Sequence, residues 1–164
     1  MLDILRESFL FCDVSDEELA EIGLFVEPFC LKKGENFFKQ GQGGDDIFVI
    51  HKGVVELYVQ ISLDTDEKVA NHGPGDCFGE LSMFGDGIRT ATAVSGTDSS
   101  GLKISSKIFD LIKIIRKPGY ADVLRKLLVR ASGSLKAMTN LMAEDKGLPL
   151  QVLAHLPDHA IGDG

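Results

Sequence analysis

The chain has 164 residues, 44% of them hydrophobic and 26% charged, which suits one domain with a single buried core and not a disordered tract. A formal charge of −8, from 17 Lys plus Arg against 25 Asp plus Glu, argues against nucleic acid as a partner, since no long basic run overrides that average. Cys12, Cys30 and Cys77 are widely spaced without a CxxC pair, which speaks against a disulfide framework or structural zinc.

The first residues, MLDILRESF, lack a basic n-region followed by a long apolar h-region, and no apolar run approaches the length of a membrane span. A cytoplasmic chain with reduced thiols, away from any membrane, is the expectation. Next, LRESFLFCDVSDEELAEIGLF reads as two helical pieces. Ser15 and Glu18 have capping-box spacing, so a helix starts at Ser15 and buries Leu19 and Ile22.

From about residue 26 to 104 the pattern becomes short apolar runs broken by KKGE, QGQGGDD, HKG, LDTDEK and GPGD. Short strands with regular turn signals predict a sandwich or barrel, not βαβ units. LDTDEK marks a hairpin between FVIHKGVVELYVQI and KVANH, and Gly53 marks a bulge or sharp bend inside the first run. TATAV and SGLKI supply two further strands. The expected class is α+β, a mainly-β barrel with N-terminal helices and a long C-terminal helix.

After Ile104 the helical period returns. Ser105 or Ser106 can cap KIFDLIKIIR, and Pro118–Gly119 interrupts it. Lys113, Arg116 and Lys117 at helical spacing read as a solvated face, followed by Arg125, Lys126 and Arg130. In the next segment Leu124, Leu128, Ala131, Leu135, Met138 and Met142 alternate steps of four and three, an a/d seam that asks for a partner helix, with a second copy of this chain as the expected one. Gly133 within it weakens the helix by about 1 kcal/mol relative to Ala. Residues 145–164 read as a loosely attached tail. His155 and His159 are four apart there, but Pro157 between them breaks the helix that would align them on a metal.

The residues with chemical content lie in FGELSMFGDGIR, residues 78–89. Gly79 allows a close approach to its backbone. Glu80 offers an acceptor pair suited to sugar hydroxyls. ELSMF can form one helical turn with free N–H groups at its start. Arg89 presents a planar fork that fits phosphate oxygens, and the N–H groups of Thr90 and Ala91 can add to it. Two arrangements are open on the residues alone. Glu80 and Arg89 pair with each other across the loop, or together they hold a nucleotide with few phosphates; no GxxxxGK[ST] for a triphosphate occurs.

FGELSMFGDGIRTATAV resembles the phosphate-binding cassette of the cyclic nucleotide-binding domain family, and KKGENFFKQGQGGDDIFVIHKGVVELY resembles that family's early barrel strands, with Gly34, Gly41 and Gly53 at its turn glycines. The resemblance spans about residues 8–140. It implies a jelly-roll (double-stranded β-helix) barrel over about 26–104 within a domain of residues 1–144, with lid or dimer helices at about 105–144. The ligand it implies is cAMP or cGMP, with no cofactor and no metal. Glu80 and the Gly79 backbone would hold the ribose 2′-hydroxyl, and Arg89 the cyclic phosphate, helped by Leu81, Ser82, Thr90 and Ala91 around them. Arg125, Leu128 and Ser132 are the candidate base lid. Thr90 suits cGMP, whereas small cytosolic relatives more often use cAMP, which is the ligand favoured here. With no catalytic motif and only about twenty residues after the heptad helix, the expectation is a non-enzymatic sensor. It repositions its C-terminal helix and acts through a further protein partner, as a stand-alone module or as a domain cut from a longer protein. A barrel scaffold that only dimerises, and a cupin-like metal enzyme, are the competing readings; the second would need clustered metal ligands, whereas His51 and His72 are isolated with no HxH.

Overall fold

The computed structural model describes residues 1–62, 65–108 and 117–145, with side chains through residue 140. Most of KIFDLIKIIR, the tail with His155 and His159, and the Met142 side chain lie outside the described residues. Helix α1 (Leu2–Glu7) and helix α2 (Asp16–Ile22) lead through a 3₁₀ turn, Gly23–Phe25, into the strands. The capping box at Ser15 and Glu18 is present, and Leu19 and Ile22 are fully buried.

Among the described residues eight strands follow: β1 (Val26–Leu31), β2 (Asn36–Phe38), β3 (Ile47–Lys52), β4 (Val55–Ser62), β5 (Thr65–His72), β6 (Cys77–Phe78), β7 (Thr92–Ser95) and β8 (Ser99–Ile104), with the short helix α3 (Glu80–Phe84) between β6 and β7. They form two antiparallel sheets, ordered β1-β8-β3-β6 and β2-β7-β4-β5. This is an α+β jelly roll.

Strand β3 shows why the run IFVI contains no polar break. Side chains alternate between sheet faces, and both faces are covered. Ile47 and Val49 join a core shared with the N-terminal helices, while Phe48 and Ile50 join Phe38, Val55, Phe78 and Ala93 inside the barrel. Gly53 stands where the chain leaves one sheet for the other. Its φ is +90°, and a Cβ there would lie 2.5 Å from the Asp98 carbonyl oxygen, so the expected bend is a crossing between sheets.

The long helix α4 (Pro118–Asp145) packs on this body. Pro118 opens it, where a missing N–H costs nothing. Gly119 is held rather than loose. Its N–H donates to Glu18 Oε1 at 3.2 Å, and a Cβ would meet Glu18 Oε2 at 2.5 Å. Burial works to raise the Glu18 pKa, but hydrogen bonds from Ser15 and Gly119 and the Lys117 charge outweigh it and hold the carboxyl below its usual range. The root of α4 is fastened further by Tyr120 Oη donating to Glu21 (2.6 Å), Lys117 to Glu21 (2.8 Å), and Lys126 to Asp13 (2.7 Å). Lys117 is therefore an anchor and not a solvated cation. Lys113 and Arg116 lie outside the described residues.

The face that α4 buries differs from the heptad seam. Tyr120, Val123, Leu127 and Ala131 are buried, and Leu124 packs beside them. Leu128 and Leu135 are 58% and 55% exposed, and Met138 is half-buried. The seam was split because the chain's own barrel takes Leu124 and Ala131. A period of 3.6 places two adjacent apolar stripes on one helix, and the sequence does not say which one meets the core.

Arg130 ties the middle of α4 to the barrel. Its Nη2 donates to the Cys77 carbonyl and lies 3.0 Å from His72 Nδ1, while its Nη1 lies 3.6 Å from Asp76. Burial, followed by the Arg130 charge, pushes the His72 pKa down from 6.5 to about 4. A histidine with a lowered folded pKa contributes stability that is fully present above pH 6.5 and is lost as pH falls toward 4. The melting temperature is expected to drop across that window, and His72→Gln is expected to flatten the part of the slope above pH 5. An identical slope in the variant would remove His72 from this role.

Candidate functional site

Strand β6 delivers Phe78 into the barrel, and the chain then turns at Gly79, whose φ is +88°. A Cβ at Gly79 would lie 2.9 Å from both Arg89 Nη1 and the Asp46 carbonyl oxygen. Gly79 is thus required by the chain's own arginine, which crosses directly over it. Glu80 begins α3 and is 4% exposed; its Oε1 accepts a hydrogen bond from Ser134 Oγ of α4 at 2.9 Å.

Arg89 is also only 4% exposed. Its Nη1 lies 2.9 Å from each of three acceptors, the carbonyls of Asp46 and Gly79 and Ser82 Oγ. Phe38 lies beneath it, with the guanidinium carbon 4.2 Å from the ring centroid. Phe38 belongs to a packed group with Phe37, Phe48 and Phe78, so this floor cannot shift without disturbing the barrel core.

The other side of the guanidinium is unspent. Buried Nε has no hydrogen-bond partner, and among the described residues no carboxylate lies within ion-pair distance of Arg89. A Cβ at Gly44 would sit 3.2 Å from both Nε and Nη2, so only a glycine lets the chain pass this close to that edge of the fork without a side chain pressing on it. Burial pulls the Arg89 pKa down, opposed by the charges of Asp46 and Asp45. A buried cation without a counter-charge is costly, and a small anion placed against Nε and Nη2 would remove that cost through charge-assisted hydrogen bonds.

Glu80 and Arg89 therefore do not pair with each other, which was one of the two arrangements open from sequence. Instead Phe38, Gly79, Glu80, Leu81, Ser82, Arg89, Thr90 and Ala91 line one cavity of about 30 Å³. All seven cassette residues singled out from sequence lie on it. Phe38, Gly44, Asp46 and Ser134 were missed. The QGQGGDD turn signal marked Gly44 and Asp46 only as a loop, and nothing local connected Phe38 or Ser134 to the cassette. Of the proposed lid, Arg125 pairs with Asp122 at 3.3 Å on an exposed face. Leu128 and Ser132 line a separate groove of about 500 Å³ with Phe84 and Leu135. Among the described residues no group of three or more His, Cys, Asp or Glu side chains is placed to hold a metal ion, and no helix is long and apolar enough to cross a membrane.

The family model for the cyclic nucleotide-binding domain matches residues 28–113. The chain belongs to the cyclic nucleotide-binding domain family. It is 33% identical over 92 residues to a cAMP-dependent protein kinase regulatory subunit of Eremothecium gossypii, covering 56% of this chain and 19% of that one. It is 32% identical over 93 residues to a cGMP-dependent protein kinase of Drosophila melanogaster, covering 56% and 10%. The chain thus spans a fifth or less of the length of these two relatives. The crystal structure of the N-terminal domain of a transcriptional regulator from Streptomyces coelicolor A3(2) superposes with a TM-score of 0.65 at 29% identity, over 84% of this chain and 95% of that one. In this cyclic nucleotide-binding domain the cassette arginine and glutamate both line the cavity.

Proposed function

We propose that this domain is a regulatory sensor of a cyclic nucleotide, with cAMP favoured over cGMP, that transmits binding through α4. The observation that carries the reading is the buried Arg89, whose Nε has no partner and which lines one cavity together with Glu80. Arg89 would take the cyclic phosphate, with the N–H groups around Ser82, Thr90 and Ala91, and Glu80 with the Gly79 backbone would take the ribose 2′-hydroxyl. Thr90 is exposed at the cavity edge, where its hydroxyl could meet a guanine amino group, so cGMP is the ligand to compare. Gly133 and the exposed Leu135, Lys136, Ala137, Thr139 and Asn140 support a helix that moves, while its root, fastened at Glu18, Glu21 and Asp13, stays.

A ligand that binds only the native state must stabilise it, by about 2.7 kcal/mol at a hundredfold excess over Kd. The melting temperature is expected to rise with cAMP, and by more than with cGMP at equal concentration. A melting temperature unmoved by millimolar amounts of either would leave the scaffold reading in place. Greater stabilisation by cGMP would reverse the ligand preference.

Homodimerisation through α4 belongs to the same proposal. Leu128, Val129 and Leu135 are more than half exposed and Phe84 is 44% exposed, an apolar stripe that a second copy would cover. Of the heptad seam, Leu128 and Leu135 are available for this contact, Met138 is half-buried, and Leu124 and Ala131 are committed to the domain's own core. A monomer mass by light scattering, with and without nucleotide, would count against the dimer.

A further inference from the structure

We infer that Ser134 is a built-in competitor for the cavity, a latch whose hydroxyl occupies the carboxylate that the ligand's sugar must take; this rests on the cyclic nucleotide reading above. Ser134 Oγ donates to Glu80 Oε1 at 2.9 Å. A serine hydroxyl and a ribose hydroxyl are the same kind of donor, and Glu80 is too buried for water to replace either at no cost.

The latch has a definite construction. Arg130 and Ser134 are four apart on α4 and therefore share a face. Arg130 holds the Cys77 carbonyl and Ser134 holds Glu80, two points on the single stretch that runs from β6 into α3. The helix thus grips the cassette at its start and at its functional acid. Between the two grips lies Gly133, where an added Cβ would meet nothing within 4 Å. A glycine inside a helix lowers the cost of bending there. After it, Leu135, Lys136, Ala137, Thr139 and Asn140 are exposed, so among the described residues few side chains besides Ser134 and the half-buried Met138 retain this part of α4.

Cavity size points the same way. About 30 Å³ lies between Glu80 and Arg89, whereas small-molecule sites measure about 300 Å³ or more. Ser134 does not itself line that space, but a sugar hydroxyl takes Glu80 Oε1 only if Ser134 withdraws from it, and the free energy of breaking that hydrogen bond is subtracted from the affinity. Ser134 sets a concentration threshold for the sensor and links occupancy of Glu80 to release of α4.

The test is calorimetric titration of cAMP into the parent chain, Ser134→Ala and Ser134→Thr. A hydrogen bond to a buried charged acceptor accounts for about a ten- to hundredfold change in affinity. Ser134→Ala is expected to bind cAMP tighter by that factor, and Ser134→Thr, which keeps a hydroxyl, to stay within about twofold of the parent. Alanine is the better helix former, so a tighter complex cannot come from lost helicity. Equal affinity in parent and alanine variant, or an equally tightened threonine variant, overturns the latch and leaves the nucleotide site standing. Weaker binding by Ser134→Ala also overturns it, because the hydroxyl would then be a ligand contact. Absence of binding by all three proteins removes the nucleotide reading and the latch with it.

Discussion

Arg89→Ala is expected to weaken cAMP binding at least tenfold, measured by calorimetry on a variant shown to be folded by its circular dichroism. Tenfold corresponds to about 1.4 kcal/mol, and a hydrogen bond to a charged group contributes about 1.5–3 kcal/mol, so loss of the Nε and Nη2 edge suffices. The variant also leaves the carbonyls of Asp46 and Gly79 without their shared donor. For that reason the melting temperature falls as well, and affinity must be read well below it. Arg89→Lys separates charge from geometry. A lysine keeps the cation but cannot hold the Nη1 acceptors and present a second edge to an anion together, so most of the loss is expected to persist. Unchanged affinity in either variant would take Arg89 out of the site.

Gly79→Ala is expected to remove both binding and part of the fold's stability. A side chain at φ +88° costs about 1–2 kcal/mol, and the new Cβ would lie 2.9 Å from the Asp46 carbonyl and from Arg89 Nη1. The backbone oxygen cannot swing aside, so Arg89 is displaced from the acceptors that orient it. A loss of about 2–3 kcal/mol in urea unfolding, with cAMP affinity down at least tenfold, is the expected pair of results. A variant with parental stability and affinity would show that the turn at Gly79 does not fix Arg89.

These two residues also mark how far the sequence reads on its own. Ser15 with Glu18 announced α2, and the short apolar runs between glycine-rich turns announced the barrel, because capping and alternation are local rules. The cassette was legible through its resemblance to a family motif, since Gly79 through Ala91 is one continuous stretch, although Arg89 is held in place by the Asp46 carbonyl and Phe38 from distant chain. What decides their use lies elsewhere. Phe38 arrives from β2, Gly44 and Asp46 from the loop before β3, and Ser134 from α4. No spacing rule connects residues that only the sheet order and the docking of α4 bring together.

The long helix gives the clearest contrast. Its heptad steps were visible, but the seam they traced was divided when Tyr120, Val123 and Leu127 docked on the core. Lys126 and Arg130, two more cations in the sequence, became fasteners once Asp13 and the Cys77 carbonyl were placed beside them. By itself the sequence determined the β-rich class, the chemistry of an acid and a guanidinium in one loop, and the presence of a long amphipathic helix, all of which follow from periodicity and local turn chemistry. Only the tertiary structure decided that acid and guanidinium stay apart, that the arginine keeps an unspent edge, and that a serine from α4 reaches the acid. Those outcomes depend on which groups share a desolvated space, and burial, not sequence order, sets which charges must find partners.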